Sequence, residues 1–136
     1  MTTKTRLGNQ HPTQYITLPY KKTGYKEAIK TYEKSGRKAQ EWQILLTKHI
    51  YAINSDGLWT HSKYGYSLPR RNGKNEVVVI REMEGLMSGE RILHTAHRTN
   101  TSHTAWERLC NLLYKAKIEY TSLKAKGNED ARLNCG

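Results

Sequence analysis

The chain has 136 residues and a formal net charge of +11, from 23 basic and 12 acidic residues. This length suits one domain and excludes a two-domain enzyme. No apolar run approaches the roughly 20 residues that span a bilayer, and the N-terminus lacks the apolar stretch of a secretory signal. Cys110 and Cys135 are too few for a disulfide framework. We therefore expect a soluble, intracellular protein.

The positive charge is concentrated at the start of the chain. Residues 1–38 contain nine basic and two acidic residues, which is a net charge of +7 out of the total of +11. A basic segment attracts polyanions, because each phosphate that it neutralises releases a counterion. A solvated arm that only keeps the protein dispersed is the alternative. Charge alone leaves both possibilities open.

Helical spacing appears twice in the first half of the chain. Prolines favour an extended arm over residues 1–22, and a short helix is predicted from Gly24 to Glu33. Residues 38–53 have apolar side chains at three- and four-residue steps, which predicts an amphipathic helix. Its apolar face would consist of Trp42, Leu45, Leu46, His49, Ile50 and Ile53.

Three short segments predict strands in the second half of the chain. They lie at residues 64–68, 91–96 and 118–123. Because helical segments separate them, the predicted fold is α/β, with a parallel sheet and flanking helices. Three strands make a thin sheet, and its last strand would be an exposed edge without a pairing partner. We therefore expect the chain to stop before its fold is complete.

Two helices are predicted between and after these strands. The first covers residues 76–87, where the apolar spacing is helical, although the run 77–80 alone would also suit a strand. The second covers residues from about 104 to 116 and would begin at a capping box formed by Thr104 and Glu107. Its apolar face contains Cys110, which we expect in the core.

The loop before the helix at 76–87 is the most informative part of the sequence. In a P-loop, GxxxxGK[ST], backbone N–H groups hold phosphates, the lysine reaches the β- and γ-phosphates, and the Ser/Thr hydroxyl binds magnesium. The corresponding window has Gly73 and Lys74 in place, but Leu68 replaces the first glycine and Asn75 replaces the Ser/Thr. Its position between a predicted strand and a helix favours phosphate binding. An ordinary Asn-Gly turn between basic residues is the alternative.

The order of these features resembles the large terminase subunit of tailed bacteriophages, the motor that packages DNA into the capsid. The resemblance is carried by KAQEWQILL and by GYSLPRRNGKNEVVVIREMEGLMSGERILHTAHRTNTSHTAWERL. It implies a basic leader at 1–34, a partial P-loop ATPase domain at 35–126 and a divergent tail at 127–136. The fold it implies is a P-loop NTPase-type parallel sheet with flanking helices, truncated after about three strands.

The resemblance also implies roles for single residues. A deviant Walker A loop would bind the phosphates of ATP, with Lys74 on the β- and γ-phosphates and Gly73 allowing close backbone approach. Arg70 would act in cis to stabilise charge on the γ-phosphate. Asn75 would stand in for the hydroxyl that binds Mg²⁺. The whole loop is Arg70, Arg71, Asn72, Gly73, Lys74 and Asn75.

Two more pairs of residues have implied roles. Trp42 and Gln43 resemble the adenine-recognition element, with Gln43 reading the adenine edge, and a core tryptophan beside a surface glutamine is the alternative. His97 and Arg98 would contact phosphate or couple the nucleotide state to DNA. Their alternative is to cap the next helix. The histidines lack cysteines or carboxylates at suitable spacing, so we expect no zinc site.

The family implies double-stranded DNA, the small terminase subunit and the portal protein as partners, in the cytoplasm of the bacterial host and away from membranes. It also requires a Walker B strand ending in Asp-Glu and a nuclease domain, and neither pattern occurs here. The missing groups are each worth ~10²-fold or more in rate. We therefore expect nucleotide binding, with a second chain needed for turnover. A non-catalytic DNA- or nucleotide-binding module and an inactive prophage remnant are the alternatives.

Overall fold

The computed structural model of the chain describes residues 8–124 and 129–133. The start of the predicted basic leader and half of the predicted tail, including Cys135, lie outside the described residues. Within the described part, no helix combines the length and the apolar character needed to cross a membrane. The elements are β1 (Lys22–Thr23), α1 (Tyr25–Glu33), α2 (Glu41–Ile50), β2 (Ala52–Ile53), α3 (Lys74–Met87), α4 (Thr99–Lys115), β3 (Tyr120–Leu123) and β4 (Asp130–Leu133).

Helix α3 lies at the centre of the fold and packs against the other three helices. Val77, Ile80 and Met83 are almost completely buried, because a three-residue step keeps them on one face of the helix. Leu112 and Leu113 of α4 pack in the same core. Burial of each such side chain contributes roughly 1.5–3 kcal/mol. The prediction that this segment is a helix rather than a strand is therefore confirmed.

Helix α2 turns polar side chains toward the core. Gln43 and Thr47 are its most buried residues, whereas the predicted apolar face, from Trp42 to Ile53, is only half-buried. The Thr47 hydroxyl donates to the carbonyl of Gln43 at 2.7 Å. Buried polar groups are tolerated when they are hydrogen-bonded. Apolar spacing therefore predicted the existence of the helix correctly. Its buried face and its end were predicted wrongly, because Ala52–Ile53 form β2 instead of a last helical turn.

The strands form two antiparallel pairs instead of the predicted parallel sheet. In the β1–β2 pair Lys22 lies opposite Ile53, and in the β3–β4 pair Tyr120 lies opposite Leu133. The third predicted strand is confirmed from Tyr120 onward. Six residues join β3 to β4, which is enough for an antiparallel hairpin and too few for a parallel crossover. The fold is mixed α/β, and no parallel pair forms within the described residues.

The other two predicted strands, residues 64–68 and 91–96, are irregular segments. Side chains attach them to α3: Tyr66 donates its hydroxyl to the carbonyl of Lys74 at 2.8 Å, and His94 lies 2.5 Å from Glu82. Their β-branched and aromatic residues suit a strand, but a strand also needs a neighbour for its backbone groups. None of the described residues provides that neighbour.

Helix α4 begins at Thr99, five residues before the predicted start. The predicted capping box of Thr104 and Glu107 is wrong, because Thr104 lies inside the helix and donates its hydroxyl to the carbonyl of Asn100 at 2.9 Å. The first turn is polar, so apolar spacing gave no sign of it. Cys110 is buried as predicted, and burial raises the pKa of its thiol.

Candidate functional site

A cleft of about 520 Å³ opens at the N-terminus of α3. Its walls come from the end of α1 and the following turn, the start of α2, the loop before α3, and α4. Four of its side chains are cationic and one is a carboxylate. The first N–H groups of a helix lack partners within the helix and carry partial positive charge, which adds to this surplus. The lining residues are Tyr32, Arg37, Lys38, Gln40, Gln43, Arg71, Asn72, Gly73, Glu76 and Arg108.

The loop that enters α3 contains two residues in the left-handed conformation. Gly73, the residue before the helix, has φ of 75°, and Arg71 has φ of 63°. Glycine adopts this conformation freely, whereas for arginine it costs roughly 1–2 kcal/mol. Asn72 holds the turn by donating its side-chain amide to the carbonyls of Pro69 (3.2 Å) and Arg70 (3.4 Å). Strain of this kind is concentrated at functional sites.

Gln43 joins α2 to this loop. Its Nε2 donates to the carbonyl of Gly73 at 3.4 Å, and its Oε1 accepts from the backbone N–H of Gln40 at 2.8 Å. The residue is only 3% exposed, so it is not the surface glutamine of the alternative interpretation. The structure brings Gln43 to the predicted phosphate loop, and both ends of its amide bond to the protein itself.

Glu76 lies in the first turn of α3, and its side chain is only 7% exposed. The Tyr32 hydroxyl donates to Oε2, Arg37 approaches the same oxygen at 3.5 Å, and Arg108 contacts Oε1. A buried carboxylate requires such partners. Burial raises the pKa of Tyr32, and the charge of Arg37 opposes that rise. The phenol therefore remains a donor to the carboxylate.

Arg37 and Arg108 bring two positive charges to this single carboxylate. Burial lowers the pKa of Arg108, and the charge of Arg37 lowers it further. The two side chains are 45% and 39% exposed, and each guanidinium has N–H donors beyond the one that faces Glu76. No sequence motif marks either arginine, because only the packing of α4 on α3 brings Arg108 to the cleft. An anion in the cleft would relieve the repulsion between the two.

The structure separates the six predicted loop residues. Residues 71–73 line the cleft, whereas Arg70 and Lys74 are exposed and do not. Asn75 lines a larger, mostly apolar cavity of about 860 Å³ beside it. Three of the six are therefore brought together with Gln43, and three are not.

The other predicted residues lie outside the cleft. Trp42 is half-buried on α2, and its indole N–H donates to Oε1 of Gln40 at 2.9 Å. His97 is exposed, and Arg98 is the residue that precedes the first turn of α4. The structure does not bring these three residues together with the loop.

The donors of the cleft suit an anion better than a metal ion. Among the described residues, Glu76 is the only carboxylate that lines the cleft, and it is already paired with two arginines. Among residues 8–124 and 129–133, no group of three His, Cys, Asp or Glu side chains is placed to hold a metal. Nucleotide phosphates fit these residues. Mg²⁺ does not fit here, since Asn75, its predicted ligand, lines the other cavity.

Comparison of the chain with protein-family models, with curated proteins and with solved structures found no match.

Proposed function

We propose that the cleft binds the phosphates of a nucleotide, ATP in the first place, as the Walker A region of a terminase large subunit does. The observation that carries the proposal is the convergence of Gln43, Gly73 and four cationic side chains at the N-terminus of one helix. Gln43 and Gly73 belong to the two segments that carry the family resemblance and are 30 residues apart. Helix N-termini favour anions because their N–H groups and dipole point at the ligand.

The proposed roles follow from the positions of the residues. Backbone N–H groups around Gly73 would hold phosphate oxygens, and Arg71 would add charge from the wall of the cleft. Lys74 is exposed at the first position of α3, where its long side chain is free to turn toward a ligand. The roles of Arg70 in cis and of Trp42 at the adenine rest on the resemblance alone, since neither residue lines the cleft.

Mg²⁺ belongs to the proposal only as an ion that would arrive with the nucleotide. The resemblance implies Asn75 as its ligand, but Asn75 lines the other cavity, so no ligand from this chain is proposed for the ion.

The wider proposal is that the chain is the N-terminal part of a phage DNA-packaging ATPase, acting in the cytoplasm of a bacterial host. Double-stranded DNA, the small terminase subunit and the portal protein would be its partners, and the P-loop parallel sheet belongs to the same proposal. These 136 residues contain no apolar run ending in Asp-Glu that would supply the groups that activate water, so we expect them to bind ATP without hydrolysing it at a useful rate. The alternatives are a non-catalytic DNA- or nucleotide-binding module and an inactive prophage remnant, and neither would hydrolyse ATP.

Titration calorimetry with ATP tests the phosphate loop. Lys74→Ala should weaken ATP binding about tenfold or more, because a hydrogen bond to a charged group contributes roughly 1.5–3 kcal/mol. Lys63→Ala is the matched control, since Lys63 is also an exposed lysine but does not line the cleft. Equal ATP affinities of the wild type and Lys74→Ala would remove the phosphate-loop proposal.

A row of lysines along helix α1 favours DNA binding as a second function. Lys26, Lys30 and Lys34 follow one another at four-residue steps, on the side opposite the buried Ala28 and Tyr32. Four residues of helix rise about 6 Å, so the three charges form a row. In the part of the chain that the structure describes, none of the three lysines pairs with a carboxylate. A row of free ammonium groups suits a phosphate backbone.

The salt dependence of duplex DNA binding tests this row. Changing all three lysines to glutamine should reduce the slope of log K against log salt by about 0.9 for each lost phosphate contact. Fluorescence anisotropy at several salt concentrations measures the slope. A variant with Lys63, Lys115 and Lys117 changed to glutamine has the same net charge and is the control. If both triple variants have the same slope, α1 is not the DNA contact.

A further inference from the structure

We propose that Arg37 and Arg108, anchored by Glu76, form a phosphate clamp that makes the cleft selective for nucleoside triphosphates over monophosphates. This clamp rests on the proposed nucleotide binding and adds residues that lie outside the loop at 70–75. Arg37 comes from the turn after α1, and Arg108 comes from the middle of α4.

The Glu76 carboxylate occupies only some of the N–H donors of the two guanidiniums. Arg37 faces Oε2 of Glu76 through its Nη1, and Arg108 contacts Oε1 through its Nη2. Because a guanidinium carries five N–H donors in a fixed fork, one edge can remain on the carboxylate while other nitrogens bind a ligand. Nε of Arg108 is buried and has no hydrogen-bond partner among the described residues. Because this atom has almost no accessible surface, the terminal nitrogens of Arg108 are the donors that can reach a ligand in the cleft.

Charge indicates the class of ligand. The four cationic side chains and the one carboxylate of the cleft leave a net charge of +3. A phosphomonoester carries only about −1.5 to −2 at pH 7, so a monophosphate would leave the cleft positive. The longer phosphate chain of a triphosphate brings more negative charge. The volume of about 520 Å³ is also within the usual range for small-ligand sites.

A purely structural ion pair explains the arrangement less well. Glu76 already accepts a hydrogen bond from Tyr32, and one arginine is enough to neutralise its charge. A second arginine at the same carboxylate adds repulsion and desolvation without neutralising anything further. The surplus guanidinium is explained when the cleft has to bind an anion.

Affinities for ATP and AMP, measured by titration calorimetry on the full chain, test the clamp. We expect the wild type to bind ATP at least about tenfold more tightly than AMP. Arg37→Gln and Arg108→Gln should each weaken ATP binding about tenfold and AMP binding less than about twofold. Arg91→Gln is the matched control, because Arg91 is exposed and does not line the cleft. It should leave both affinities unchanged.

Glu76 is a positioning residue in this scheme, and its substitution has a separate readout. Glu76→Gln keeps an acceptor for Tyr32 but loses the charge that orients the guanidiniums, so the ratio of ATP to AMP affinity should fall. Thermal unfolding of the same variant checks that it folds. Arg108→Lys keeps the charge without the fork and should recover only part of the ratio. If Glu76→Gln does not fold, Arg37→Gln and Arg108→Gln still test the clamp, because both arginines are half-exposed.

The outcomes separate the clamp from the proposed function. An unchanged ATP-to-AMP ratio in both arginine variants overturns the clamp alone, provided that Lys74→Ala still weakens ATP binding. A wild-type chain that binds neither ATP nor AMP overturns the proposed function and the clamp with it.

Discussion

The side-chain amide of Gln43 donates to the carbonyl of Gly73 at 3.4 Å, and its oxygen accepts from the backbone N–H of Gln40 at 2.8 Å. One buried polar residue therefore caps α2 and connects it to the loop that opens α3. The connection joins the segment expected to recognise adenine to the segment expected to hold phosphate. Gln43 consequently affects both the stability of the fold and the geometry of the cleft.

Replacing Gln43 by alanine should lower the free energy of unfolding by about 1–3 kcal/mol, because the cap is lost and buried polar groups lose their partner. Urea unfolding followed by circular dichroism measures the change. Gln14→Ala is the control with the same chemistry, on an exposed residue of the N-terminal arm. Equal unfolding midpoints for the two variants would show that Gln43 has no structural role.

Gly73→Ala should destabilise the chain by about 1–2 kcal/mol, because alanine is strained at positive φ. A Cβ at this position would lie 3.6 Å from Nε2 of Gln43 and 3.7 Å from Cγ of Glu76, which are ordinary contacts, so the backbone conformation decides the effect. Gly73→Asn should cost less, since asparagine tolerates this conformation.

Gly65→Ala is the control for this substitution. Gly65 has open space around it and no positive φ. A loss of stability as large as that of Gly73→Ala would contradict the assignment of strain to the loop. Thermal or urea unfolding of the three variants provides the comparison.

Leu113→Ala should cost about 2–5 kcal/mol, because Leu113 is completely buried where α4 packs on α3. Leu93→Ala removes the same atoms from a side chain that is 88% exposed, and it should change stability by less than about 0.5 kcal/mol. Urea unfolding measures both. Comparable losses would mean that the irregular segment at 91–96 packs against something in solution.

Glu82 should give the stability of the chain a pH dependence. The residue is buried on α3, and burial raises the pKa of its carboxyl, although His94 at 2.5 Å acts in the opposite direction. A raised pKa means that the folded state binds the proton more tightly. The resulting stabilisation is therefore fully present below the unfolded pKa and is lost as the pH rises through the folded pKa.

Glu82→Gln removes this titration and should gain stability relative to the wild type as the pH rises above the unfolded carboxyl pKa of about 4.3. Unfolding free energies at several pH values measure the difference. Glu119→Gln, on an exposed residue, is the control and should show a constant difference. A constant difference for Glu82→Gln as well would contradict the role of its burial.

Apolar spacing predicted the helices well. It predicted poorly which side chains the helices bury and how the strands pair. The apolar spacing around Ile80 and Met83 predicted α3, because a helix repeats every 3.6 residues wherever it packs. The same reasoning gave the wrong buried face for α2, where hydrogen bonds let Gln43 and Thr47 face the core. Strand propensity likewise does not determine pairing, so β3 was predicted and its antiparallel partner β4 was not.

By itself, the sequence determined the approximate position of four helices and the composition of the loop at 70–75, because periodicity and the glycine before α3 are local properties. Only the tertiary structure decided which side chains share the cleft. Arg108 reaches Glu76 because α4 packs on α3, and Asn75 lines the neighbouring cavity although it is two residues from Gly73. The chain packs to satisfy buried apolar and polar groups together, and that balance is not readable from any one segment.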